Sequence, residues 1–116
     1  MKGYTGMAAA VLALTGTLAH AQESATTASL GIGPKPCRVL LQEWDTIEPY
    51  ASAWVSGYFS FFNETTRSGI KNVSEGMDAD LRMQWIRDHC QKNPVDTLQD
   101  SAEALGKELV DYRAGH

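Results

Sequence analysis

Apolar residues recur along this chain in separate stretches of helical spacing, divided by proline, glycine and polar breaks. Cys37, Leu40, Leu41 and Trp44 stand at i, i+3, i+4 and i+7, which puts all four on one face of a short helix. Pro49 is expected to end that helix and to open the next, since proline suits a first turn and not an interior. From Pro49 to Phe62 the residues Tyr50, Ala51, Trp54, Val55, Tyr58, Phe61 and Phe62 form one broad apolar stripe, with Phe59 toward its edge. Gly57 borders the stripe at a propensity cost of about 1 kcal/mol relative to Ala, which predicts the close approach of another helix there.

Residues Asn63 to Met77 are polar, contain Gly69 and Gly76, and predict a long exposed loop. Asp78 is placed to cap a third helix running to about Cys90, with Leu81, Trp85, Ile86 and Cys90 on its buried side. Asn93 then reads as the cap of a last helix, Pro94 as its first residue and Asp96 as a favourable charge in the first turn. Leu98, Ala102, Leu105, Leu109 and Tyr112 follow at steps of four and three, a narrow seam suited to one partner helix or to another subunit. No strand-like alternation stands beside these patterns. The expected fold is all-α, a small single-domain bundle of about four helices, with Trp54, Tyr58, Leu105 and Leu109 at its centre and Trp85 nearby.

The first 21 residues have another character. Lys2 precedes an apolar run from Met7 to Leu18 and the small-x-small sequence Ala19-His20-Ala21, the order of an export signal cleaved after Ala21. The run is too short for the roughly 20 residues that cross a bilayer as a helix, so no membrane association is expected after cleavage. Residues 22–36 are rich in Ser, Thr, Ala and Gly and read as a disordered leader, which leaves 37–113 as the helical domain.

Export changes the reading of the two cysteines. Outside the cytoplasm Cys37 and Cys90 are expected to be oxidised to each other, and the loop so closed is worth about 4 kcal/mol in the chain-entropy model. That share matters in a domain of this size, whose core is modest.

Charge and chemistry narrow the function. All 14 acidic residues lie beyond the signal, against nine basic ones once Lys2 is set aside, a net charge near −5 with no basic patch to meet nucleic acid or an anionic membrane. Asp88-His89-Cys90 is the one cluster resembling a nucleophile beside a base, but neighbours on a helix point about 100° apart and Cys90 is claimed by the disulfide. With no phosphate cradle, no nucleophile elbow and two histidines after cleavage, neither an enzyme nor a metal or cofactor site is expected. The aromatics Trp54, Tyr58, Phe59, Phe61, Phe62 and Trp85 remain, as core or as a surface for binding other proteins.

An exported chain with a first cysteine in Pro36-Cys37-Arg38-Val39-Leu40-Leu41, an aromatic helix with Trp54-Val55-Ser56-Gly57-Tyr58 and a second cysteine in Cys90-Gln91-Lys92-Asn93-Pro94 resembles the HdeA/HdeB family of periplasmic acid-stress chaperones. The likeness covers roughly residues 36 to 110. It implies a small helical periplasmic protein without cofactor, dimeric at neutral pH, that loosens in strong acid and covers unfolded client proteins with its apolar surface. A reading of another class is a constitutively folded exported binding module, such as an inhibitor or immunity-type protein acting on a secreted enzyme through the 63–77 loop.

Overall fold

The computed structural model of the protein describes residues 29–65 and 69–115, so the expected export signal and the first part of the leader lie outside the described residues. Four helices form within them: α1 (Cys37–Gln42), α2 (Trp44–Thr65), α3 (Ala79–Lys92) and α4 (Leu98–Ala114). Among the described residues there is no strand, only an isolated bridge between Pro36 and Thr97. The all-α bundle with one Cys37–Cys90 disulfide is therefore the observed fold.

The break between α1 and α2 falls at Glu43, not at Pro49. Glu43 leaves helical geometry at φ −116° and ψ 22°, while its carbonyl accepts the amides of Thr46 and Ile47 and so starts α2. Pro49 lies inside α2, in its second turn. The missing N–H there forfeits one bond, to the carbonyl of solvent-facing Asp45, and water can satisfy that group.

Burial of α2 also differs from the expected stripe. Trp44, Ala51, Val55 and Phe59 are its buried residues, whereas Trp54, Tyr58 and Phe62 are half-buried at the flanks and Tyr50 and Phe61 are exposed. The core centre is accordingly Leu40, Val55, Ile86, Leu98 and Leu105, all fully buried, with Trp54, Tyr58 and Leu109 around it. Phe59, expected at the edge, is only 2% exposed.

Glycine placement shifts in the same sense. Among the described residues nothing lies within 4 Å of the position a Cβ would take at Gly57, so none of the four helices approaches it. The close approach is at buried Gly106 on α4, where a Cβ would sit 3.2 Å from the Phe62 ring and 3.6 Å from that of Phe59. A side chain there would push apart α2 and α4.

Asp78 caps α3 as expected, its Oδ1 accepting the Leu81 amide at 2.8 Å. The buried face of α3 is Met83, Ile86 and Cys90, while Leu81 points outward and is 48% exposed. Asn93 ends α3 instead of starting α4: its amide and its side-chain Nδ2 both donate to the His89 carbonyl. α4 starts at a capping box, with Asp100 N donating to Thr97 Oγ1 and Thr97 N donating to Asp100 Oδ2. Of the α4 seam, Leu98, Ala102 and Leu105 are buried, Leu109 is half-buried and Tyr112 is largely exposed.

Two segments expected to be loose are bound to the helices. Residues 29–36 of the leader form turns, and their continuation pairs with the α3–α4 connection through Cys37 N to Asp96 O at 2.7 Å and Arg38 N to Pro94 O at 3.1 Å. In the described part of the 63–77 segment, α2 runs on to Thr65, Val73 is fully buried and Ser74 nearly so. Asn63 Oδ1 accepts the Val73 amide, Asn72 Oδ1 accepts the Ser74 amide, and Arg113 on α4 donates to the carbonyls of Val73 and Glu75. The loop reads as exposed because Ile70, Val73 and Met77 are spread among polar residues, while the contact that ties its backbone down comes from Arg113, 40 residues from Val73.

Candidate functional site

One end of the bundle is covalently closed. Cys37 at the start of α1 and Cys90 near the end of α3 are joined with Cα atoms 5.0 Å apart, inside the usual disulfide range, and both are fully buried. Ser101 of α4 completes this end. Its hydroxyl lies 3.3 Å from Cys37 Sγ and 3.5 Å from Cys90 Sγ, and it donates to the Thr97 carbonyl at 3.1 Å, which satisfies a polar group that is fully buried. Three helices thus meet around the two sulfurs.

The aromatic cluster lies farther along α2. Trp54 stacks on Tyr58 at 5.8 Å between ring centroids, Tyr58 meets Phe59 edge-on at 5.3 Å, and Phe62 touches both Tyr58 and Phe59 at 6.0 Å. Offset and edge contacts of this kind add to what area burial supplies. Phe61 is not in the cluster: it points away from α4 and is 66% exposed. Trp85 packs against the core from α3, but its ring partner is His89, stacked at 5.2 Å. The structure therefore brings together Trp54, Tyr58, Phe59 and Phe62 and leaves Phe61 and Trp85 apart.

Burial raises the Tyr58 phenol above its usual value of 10.0, and the nearby Glu103 carboxylate adds to the rise. A neutral phenol is what this half-buried position favours. It gives the cluster one polar tip on an otherwise apolar surface.

Carboxylates sit where the helices begin. Asp78 accepts the Leu81 amide in the first turn of α3, Asp100 accepts the amide of Thr97, the cap residue of α4, and Asp96 Oδ2 lies 2.9 Å from His89 Nε2 across the α3–α4 connection. This settles the geometry of Asp88-His89-Cys90: His89 turns to Asp96 and Trp85, and Cys90 is in the disulfide. Asp96 is thus a partner of His89 and not a charge in the first turn of α4. Among the described residues no group of three or more His, Cys, Asp and Glu could hold a metal ion, and no helix is long and apolar enough to cross a membrane.

Several structural residues carry weak sequence signals. Thr97-x-x-Asp100 ahead of Leu98 is a capping pattern and could have been read. Ser101, Gly106 and Arg113 act through partners distant in sequence, and spacing along one helix does not disclose them.

In comparisons with known proteins, no family model, no curated protein and no solved structure matches this chain.

Proposed function

We propose that the protein is an exported, periplasmic acid-stress chaperone, which loosens at low pH and covers unfolded proteins with the aromatic face of α2. The observation that carries this reading is the contrast between a disulfide, indifferent to protonation, and helix starts built on the carboxylates of Asp78 and Asp100. Acid removes negative charge from a chain with 14 acidic residues. The mature chain then carries nine Lys and Arg, two His and its N-terminus as uncompensated positive charges. Such a chain loosens without escaping, because Cys37 and Cys90 stay joined. Trp54, Tyr58, Phe59 and Phe62 would become available to other apolar chains.

The test is light scattering of an acid-sensitive client at pH 2–3, with and without the protein. Suppression of aggregation in acid and none at pH 7 is expected; no suppression at either pH removes the reading. One observation favours the folded binding module: Arg113, Asn63 and Asn72 preorganise the 69–77 loop. That reading requires native circular dichroism at pH 2 and no effect on the client.

A further inference from the structure

We propose that residues 29–36 are a releasable strap that closes over Trp54 of α2, with Gly33 as its latch. The strap lies flat on the indole. Gly31, at φ +69°, faces the five-membered ring, where a Cβ would stand 3.6 Å from Cδ1, and buried Gly33 faces the six-membered ring so closely that any Cβ would overlap it. The Trp54 indole N–H donates to the Leu30 carbonyl at 3.0 Å. On its other side the strap meets α4, where Gln99 N donates to Gly33 O at 2.9 Å and Leu98 N to Lys35 O at 3.0 Å.

Every one of these bonds can be exchanged for water. The amides of Leu98 and Gln99 belong to the first turn of α4, which has no intrahelical partner to offer them, and the Thr97–Asp100 capping box starts α4 without the strap. Leu30 is 78% exposed and contributes little burial, Ile32 is half-buried, and the Ser29 hydroxyl is buried against Gly33 with no hydrogen-bond partner among the described residues. Release would hydrate that hydroxyl. A segment with few apolar contacts and exchangeable backbone bonds opens ahead of the body on which it rests. Its far end is fixed, since Pro36 bridges to Thr97 and leads directly into Cys37 of the disulfide, so the strap swings about Pro36 and stays near its seat.

The vacated seat offers an indole N–H and two helix amides as donors beside an apolar ring face. It fits an extended stretch of an unfolded protein with a small residue over Trp54, whose carbonyls replace those of Leu30, Gly33 and Lys35. Treating such a stretch as the client rests on the chaperone reading; release of the strap does not.

Hydrogen exchange by NMR at pH 7, on the mature chain and on its Gly33→Val variant, tests the proposal. The variant is expected to exchange the Trp54 indole and the Leu98 and Gln99 amides about tenfold faster, with the Ile86 and Leu105 amides unchanged. Strap and core sites exchanging together, in parent and variant alike, would overturn it. Should Gly33→Val not fold, Trp54→Phe keeps a ring in place and removes the donor, and faster exchange at Leu98 and Gln99 alone is again expected; unchanged exchange there would overturn the proposal. Suppression of client aggregation at pH 7 by the released variant supports both strap and chaperone. Release with no such suppression upholds the strap and removes the vacated seat as the client site, leaving the acid test of the chaperone reading to stand by itself.

Discussion

The two ends of this bundle are held by different physics. At the disulfide end, Cys37, Cys90 and Ser101 join α1, α3 and α4 through a covalent bond and hydrogen bonds in a fully buried setting. At the aromatic end, Phe59 and Phe62 rest against Gly106, and Arg113 ties the 69–77 loop to α4, with packing and hydrogen bonds alone. A covalent link limits how far the unfolded chain can expand, whereas apolar packing resists only while the surfaces remain together. Stress should therefore open the molecule from the aromatic end, where Phe59 and Phe62 rest on α4.

The contrast can be broken most strongly at the sulfurs. Changing Cys37 and Cys90 both to Ser should cost about 4 kcal/mol for a bridge spanning 53 residues, measured by urea unfolding at pH 7. A loss confined to a few tenths of that would mean the clamp does not limit the unfolded chain. At the other end, Phe59→Ala should cost about 3 kcal/mol, because the ring is buried and Gly106 cannot fill the space it leaves. The Phe61→Ala change on the same helix should stay within about 0.5 kcal/mol, since that ring is mostly solvated.

Between these lies Thr97→Ala, which removes the capping acceptor of α4 and should cost about 1 kcal/mol. Tyr58 supplies the smallest and most specific effect. Its folded value is raised above 10.0, so the stability it contributes is present below about pH 10 and is lost as pH rises through the raised value. Ultraviolet titration of the phenolate should follow that loss, and Tyr58→Phe should abolish it. Glu103→Gln should move the titration only part of the way back, because burial is the larger cause.

Much of this architecture was legible in the residues. The Cys37, Leu40 and Trp44 spacing, the Asp78 cap and the cysteine pairing need only local periodicity and the chemistry of export, and the structure has all three contacts in place. The rotation of α2 was not legible. Tyr50 and Phe61 share the spacing of Trp54 with the buried residues, and a stripe that wide does not say which of its edges faces the core. Helices meeting over Ala51, Val55 and Gly106 decided it, and contact of that kind is between elements and not within one. Residues 29–36 show the same limit: Gly31 and Gly33 point to a loose chain by composition, yet their lack of side chains is what lets the backbone lie on Trp54.

The central claim is that acid opens the aromatic end while the clamped end persists. Residue-resolved hydrogen exchange from pH 7 down to pH 2.5, corrected for intrinsic rates, measures this directly. The account predicts that protection at Phe59, Phe62 and Val110 collapses first, while Leu40, Ile86 and Cys90 keep theirs around the disulfide. Simultaneous loss at both ends, or earlier loss around Cys37 and Cys90, would contradict it.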